Sequence, residues 1–90
     1  MKKFVFLYIG NDGDNSMEAW MNWFKSLGES VVDMGNPFGE AREGSSELDQ
    51  NDSNAVTGYS IVNATSMEQA VEMTSSCPSK KVRVYECMPM

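Results

Sequence analysis

The sequence predicts an α+β protein of the ferredoxin-like βαββαβ type, with an antiparallel sheet and two helices on one of its faces. Strand signals and helical spacing follow one another in the order strand, helix, strand, strand, helix, strand. A chain of 90 residues has room for a single domain of this kind. Right-handed connections put both helices on the same side of the sheet, so its other face is predicted to be bare.

The first strand is apolar at every position from Phe4 to Ile9. Successive side chains of a strand point to opposite faces, so both faces of this strand are apolar. They carry Phe4, Phe6 and Tyr8 on one side, and Val5, Leu7 and Ile9 on the other. The predicted helices cover one face, and a core this small is marginal. We therefore expect a homodimer formed through the open sheet face, in the manner of a dimeric α/β barrel.

The first helix is predicted from about Ser16 to Gly28. Asn15 or Ser16 can cap its start, with Glu18 as the partner of a capping box, and Gly28 is suited to end it. Trp23 lies on the flank of the apolar stripe. The stripe itself consists of Met17, Trp20, Met21, Phe24 and Leu27.

Residues 31–34 are predicted as the second strand, and they lead into the turn Gly35-Asn36-Pro37-Phe38-Gly39 because proline and glycine interrupt a strand ladder. Residues 40–54 are polar apart from Leu48, and we interpret them as a mobile connection. Residues 55–62 alternate as a third strand should.

The second helix is predicted to begin at Ser66, with Gln69 as its capping-box partner, and to end at Cys77-Pro78. Its predicted buried stripe is Met67, Ala70, Val71 and Thr74. The last strand is predicted over residues 81–88, where apolar residues alternate with polar ones.

Four segments carry a resemblance to a known family: KFVFLYIG at the start, GNPFG at 35–39, VTGYSIVNATSMEQAVEMTSSCP at 56–78 and VRVYE at 82–86. In this order and spacing the chain resembles the YCII-related, or DGPF, domain family. The resemblance implies a ferredoxin-like fold that dimerises sheet to sheet.

Some relatives in that family carry a histidine paired with an aspartate as a proposed acid/base pair. This chain has no histidine, and its stretch near Ala19-Trp20 is apolar, so that chemistry does not carry over. The connection after Cys77-Pro78 is also shorter than in those relatives, which puts in doubt any pocket wall that they build there.

The turn at residues 35–39 is the first candidate for a ligand site. Its glycines let a ligand approach the backbone, Asn36 offers a donor and an acceptor, and Phe38 offers an apolar wall. The alternative is a β-bulge or turn that bends the chain off the sheet edge. We predict a small-molecule pocket bounded by Asn36 and Phe38, with Trp23 and Tyr59 nearby.

Each of the other candidates has a structural alternative. Trp23 is as suited to the core as to a pocket. For Tyr59 we favour the dimer interface over a ligand contact. Glu86 stands on a strand face that is otherwise apolar, so it is a candidate acid in the cavity. Alternatively, Glu86 reaches water at a sheet edge or pairs with Arg83 or Arg42.

Composition and motifs exclude several classes of function. A net charge of −6 and a pI of about 4.4 leave no basic surface for nucleic acid or anionic membranes. The apolar run after Lys2-Lys3 is too short for a membrane span and lacks a cleavage site, so we expect a cytoplasmic protein. Cys77 and Cys87 have no metal or redox spacing, and we expect reduced thiols. No pattern predicts a metal or a cofactor.

Three hypotheses of function remain at the level of sequence. The first is a non-catalytic module that binds a small, partly apolar molecule. The second is an enzyme that uses Glu86, Asp33 or a tyrosine to handle a proton, and the third is a purely structural dimer. The absence of histidine favours the first over the second, because acid/base catalysis near neutral pH most often uses that residue.

Overall fold

Six strands and two α-helices make up the fold, in a computed structural model that describes residues 1–90. Short 3₁₀ turns over Gly28–Ser30 and Thr74–Ser76 follow the two helices. In chain order the elements are β1 (Lys2–Ile9), α1 (Met17–Leu27), β2 (Val31–Asp33), β3 (Ala41–Glu43), β4 (Ser46–Leu48), β5 (Val56–Ala64), α2 (Met67–Met73) and β6 (Val82–Cys87).

Four of the strands form one antiparallel sheet with the order β2-β5-β1-β6. The central strand β1 pairs with β5 on one side and with β6 on the other, and β2 lies at the edge beside β5. Each helix therefore connects two parallel strands that have an antiparallel strand between them. The chain is an α+β protein, and this arrangement is compatible with the predicted ferredoxin-like fold.

The core lies between this sheet and the helices. Phe4, Phe6 and Tyr8 of β1 are buried on this face, as the alternation of the first strand predicted. Trp23 is 3% exposed, and its indole Nε1 donates to the carbonyl of Met73 at 3.1 Å. The remaining buried members of the cluster are Val62, Ala64 and Ala70. The helix-facing side of the sheet is therefore closed by the chain itself.

The predicted stripe of α1 is confirmed only in part, because three of its five residues pack against the core. Trp23, expected on the flank, is buried against Phe6, and the two ring centroids are 6.0 Å apart. Met17 and Met21, expected in the stripe, are 77% and 48% exposed. A large buried indole with a hydrogen bond to the last residue of α2 fixes how the helix is rotated, and apolar spacing alone does not contain that constraint.

The predicted stripe of α2 needs a similar correction. Met67 and Val71 are exposed, whereas Ala70 is fully buried and Met73 packs against the core. Both N-terminal caps are confirmed: the Oγ of Ser16 accepts from Ala19, and that of Ser66 accepts from Gln69. The Oε1 of Gln69 accepts in turn from the backbone of Thr65 at 2.6 Å.

Residues 40–54, predicted to be a mobile connection, contain a two-stranded antiparallel hairpin formed by β3 and β4. Gly44, with φ of +60°, occupies the first position of its two-residue turn, as a type II′ turn requires. Arg42 pairs with Glu40 at 3.0 Å and with Glu47 at 3.9 Å. Every hairpin residue of β3 and β4 except Ala41 is exposed, so the hairpin stands away from the main sheet.

The second face of the main sheet has no helix on it. Cross-strand pairs place Val5 between Ile61 and Tyr85, and Leu7 between Tyr59 and Arg83. Val5, Leu7, Tyr59 and Ile61 are partly exposed, and Val32 and Tyr85 are exposed. Ile9 differs from its predicted neighbours on this face, because it is 1% exposed within the single chain. We call this surface, formed by residues Val5, Leu7, Val32, Tyr59, Ile61 and Tyr85, the open face.

Neither helix is long and apolar enough to cross a membrane. The longer of the two, α1, has 11 residues, whereas a span needs about 20.

Candidate functional site

The turn at residues 35–39 does not leave the sheet but continues along it. The backbone N–H of Phe38 donates to the carbonyl of Thr57 at 2.8 Å, and that of Tyr59 donates to Asn36 at 3.4 Å. Pro37 also forms a bridge with Gly58. The turn is therefore an irregular extension of β2 along β5, and it does not bend the chain off the sheet edge as the structural alternative for this motif required.

Gly35 makes this path possible. Its φ is +77°, and a Cβ built on it would lie 1.7 Å from the carbonyl oxygen of Tyr59. Its N–H donates to Oδ1 of Asp33 at 2.8 Å, which closes a tight turn at the end of β2. No side chain fits between these two backbones, so glycine is required here for close approach as well as for its φ.

Phe38 leaves this extension and stacks on Tyr59. The ring centroids are 5.7 Å apart and the ring planes are inclined by 20°. The Tyr59 hydroxyl lies 3.5 Å from Oδ2 of Asp33. Phe38 remains 43% exposed, so the stacked pair forms an aromatic corner between the open face and the hairpin.

A groove opens between Phe38 and the hairpin. It has a volume of about 570 Å³ and combines apolar and acidic side chains. A second depression of about 570 Å³ adjoins it and includes Glu47. We call both together the hairpin groove; its lining residues are Phe38, Gly39, Glu40, Ala41, Glu47, Leu48, Asp49, Gln50, Asp52, Asn54, Ala55 and Val56.

The far wall of the hairpin groove is held by short-range hydrogen bonds. The Oδ1 atoms of Asp49 and Asp52 accept from the backbone N–H two residues later, at 2.9 and 2.8 Å. The Nε2 of Gln50 donates to the carbonyl of Val56 at 3.1 Å. At the end of the groove, the ammonium of Lys81 donates to Oδ1 of Asn54 at 2.8 Å. These bonds give the polar segment after β4 a defined path.

Of the five predicted site residues, Phe38 lines the groove, whereas Asn36, Trp23, Tyr59 and Glu86 do not. Trp23 belongs to the core on the helix-facing side of the sheet, opposite to the face that carries Tyr59. Glu86 is partly buried and pairs with Phe4, which places it on the helix-facing side as well. Of the predicted set, the structure brings Phe38 and Tyr59 together, with the backbone of Asn36 bonded beside them.

Groups with raised pKa values lie in the core. The Tyr8 hydroxyl donates to the Oγ of Ser60 at 2.7 Å, and Ser60 donates to the carbonyl of Met34 at 2.6 Å. Burial raises the pKa of Tyr8, against the opposing effect of its bond to Ser60. Burial likewise raises the pKa of the Cys77 thiol to about 11, and both cysteines are free thiols. These groups are suited to a stable core.

The acidic residues of the chain do not form a metal site, since no three histidine, cysteine, aspartate or glutamate side chains converge. Asp14 serves a local role, because its Oδ1 accepts from the N–H of Ser16 at 3.0 Å. That bond also lowers the pKa of the Asp14 carboxyl.

Sequence reasoning missed the hairpin side of the groove, including Leu48, Asp49 and Gln50. One signal was present: Gly44-Ser45 separates two three-residue segments, and a Gly-Ser pair is typical of a hairpin turn. The low apolar content of residues 40–54 argued against strands there. An exposed hairpin, however, does not need apolar residues at alternate positions, because neither of its faces is buried.

These features are the basis for any statement on function, since no family model, no curated protein and no solved structure matches the chain.

Proposed function

We propose that this protein is a homodimeric small-molecule-binding module of the YCII-related type, with a ferredoxin-like fold that assembles as a dimeric α/β barrel. Its ligand site is the hairpin groove. The observation that carries the proposal is the aromatic corner of Phe38 and Tyr59, which joins the groove to the open face. The DGPF resemblance supports it, because the GNPFG segment supplies Phe38 and the glycine that positions it.

The groove has the size and lining that ligand sites commonly have. Each of its two depressions has a volume of about 570 Å³, which falls within the usual range of about 300–1,000 Å³ for small-molecule pockets. Apolar side chains of Phe38, Leu48 and Val56 alternate with carboxylates and amides along it. A molecule with one apolar part and a few polar groups would use both kinds of surface.

The case for a dimer rests on exposed area. The chain exposes 6163 Å², whereas a monomer of 10.0 kDa is expected to expose about 5,200 Å². This excess is close to the roughly 800 Å² that one partner gives to a standard interface. Asp33 on β2 and Arg83 on β6 carry opposite charges at the two sides of the sheet, so two copies stacked with their edges exchanged would bring these charges together.

Catalysis by a proton-handling residue is the less supported alternative. Glu86 lies on the helix-facing side of the sheet, and the Tyr8 hydroxyl is bonded within the core. Asp33 remains near the aromatic corner, with Oδ1 bonded to Gly35. If the protein turns over a bound ligand and Asp33→Asn abolishes this turnover, the protein is an enzyme rather than a binding module.

Light scattering tests the dimer. At about 10 µM, a concentration far above the Kd of an obligate interface, the wild type should have twice the mass of one chain. Leu7→Lys places a charge in the centre of the open face and should give a monomer. Met17→Lys changes an equally apolar residue on the exposed side of α1 and should leave the dimer intact. A monomeric wild type contradicts the proposal.

A metabolite library read by thermal shift tests the ligand site. Compounds that stabilise the wild type should lose this effect in Phe38→Ala, because the ring supplies apolar area to the groove. Met17→Ala is the matched control, since it removes an exposed apolar side chain elsewhere. If Phe38→Ala and the wild type respond equally to every stabilising compound, the site lies outside the groove.

A further inference from the structure

We propose that the hairpin groove takes an organic cation that carries a flat apolar group, an assignment that rests on the groove being the ligand site. It concerns the class of ligand and uses features that the proposed function does not need. These are the distribution of charge around the groove and the hydrogen bonds already made by its carboxylates.

The apolar group of the ligand has a place beside Phe38. One face of this ring stacks on Tyr59, and the side chain remains 43% exposed along the groove. Leu48 of the hairpin contributes a second apolar side chain, which is 48% exposed. A flat group placed between them would cover both and would extend the aromatic stack by one ring.

The charge of the ligand follows from the lining. Every charged side chain that lines the groove is a carboxylate: Glu40, Glu47, Asp49 and Asp52. Two cations adjoin them. Arg42 pairs with Glu40 and Glu47, and Lys81 is bonded to Asn54 at the end of the groove. The carboxylates therefore outnumber the cations, and Asp49 and Asp52 have no ion pair.

The segment of the chain that contains the groove residues is also negatively charged. Arg42 is the only basic residue between Ser26 and Ser79 in the sequence, a stretch that includes all lining residues. Asp49 and Asp52 each hold a backbone N–H through Oδ1, and these bonds fix the carboxylates in place. A negative potential over a concave surface concentrates cations and repels anions.

An organic cation fits this surface better than a metal ion. No three acidic side chains converge on one point, as a divalent ion requires. The carboxylates are instead spread along a groove whose other component is aromatic. The face of an aromatic ring also attracts a cation, so Phe38 favours an ammonium as well as an apolar group.

Three probes of nearly equal shape test the charge: 2-phenylethylammonium, 2-phenylethanol and phenylacetate. Their binding to the full-length protein is measured by shifts of the amide resonances of groove residues, in ¹⁵N-labelled protein. We expect 2-phenylethylammonium to bind at least about five times more tightly than 2-phenylethanol, and phenylacetate to bind most weakly. The advantage of the cation should shrink as salt rises to 0.5 M, because salt screens exposed charges.

Two charge variants and one control locate the effect. Glu47→Gln removes a lining charge, and Asp49→Asn does the same while keeping an oxygen for the N–H of Asn51. Each should weaken 2-phenylethylammonium by about 1.5- to 5-fold and leave 2-phenylethanol unchanged. Glu43→Gln changes the same hairpin outside the lining and should alter neither probe.

The outcomes separate this inference from the proposed function. If all three probes bind alike and Phe38→Ala weakens all of them, the groove remains a ligand site and the assignment of a cation is wrong. The same holds if phenylacetate binds most tightly. If none of the three probes moves a groove resonance at millimolar concentration, both the inference and the ligand site are overturned.

Discussion

The two glycines of the turn at residues 35–39 should respond in opposite ways to the same substitution. Gly35→Ala would force a side chain into a backbone with φ of +77° and to within 1.7 Å of the Tyr59 carbonyl oxygen. A Cβ on Gly39 would meet nothing within 4 Å, and the φ of Gly39 is not in the left-handed region. Gly39→Ala is therefore a matched control, four residues away in the same turn.

The magnitude follows from two costs. A left-handed backbone costs an ordinary residue about 1–2 kcal/mol. Relieving the overlap moves the turn away from β5 and breaks the bonds from Phe38 to Thr57 and from Tyr59 to Asn36. These bonds are worth about 0.5–1.5 kcal/mol each, so Gly35→Ala should lower the free energy of unfolding by about 2–5 kcal/mol. Gly39→Ala should leave it unchanged or raise it by up to about 1 kcal/mol.

Urea unfolding followed by tryptophan fluorescence and by circular dichroism measures the difference. A chain of 90 residues has a stability of about 5–13 kcal/mol, so Gly35→Ala should still fold in buffer. Its midpoint should lie at least about 1 M below that of the wild type, and its melting temperature at least about 8 °C lower. If the two variants differ by less than about 0.5 kcal/mol, the turn does not press against β5 as described.

Two further predictions concern the core and the hairpin. Burial raises the pKa of Tyr8, so above pH 10 the unfolded chain loses this proton before the folded chain does, and stability falls as pH rises. Tyr8→Phe should cost about 1 kcal/mol at pH 8, through the lost bond to Ser60, and the gap to the wild type should narrow between pH 10 and 11. A constant gap in urea titrations would show that Tyr8 ionises equally in both states. Amide exchange should be slow at residues 4–8, in the central strand, and fast at residues 41–48, where the ladder covers no buried side chain. Equal protection would mean that the hairpin is packed, for example against a partner.

Much of the fold could be predicted because its signals are local. The order of the four main strands and two helices, both serine caps and the end of α1 at Gly28 agree with the structure. Capping and alternation depend on residues within about four positions of one another. The rotation of α1 about its axis depends instead on a distant residue, because the hydrogen bond from Trp23 to Met73 spans 50 positions of the sequence.

The candidate site was predicted only in part for the same reason. Phe38 and Tyr59 were chosen from their own segments, and the structure stacks them. Trp23 and Glu86 were also candidates. Trp23 packs from α1 into the core, and the pairing register of β1 with β6 places Glu86 on the same helix-facing side of the sheet, opposite to Tyr59. One position of strand register decides the face of every side chain.

By itself, the sequence determined that this protein has an apolar central strand, a net negative charge, no histidine and a glycine-bracketed turn after the second strand. Only the tertiary structure decided that this turn runs along β5 and that its phenylalanine faces a hairpin. The hairpin groove joins residues 38–41 to residues 47–56. Its shape depends on contacts between segments that are distant in sequence, such as the bonds from Gly10 to Ala55 and from Asn11 to Gln50. The local pattern of either segment does not predict such contacts, because they depend on how the whole chain folds.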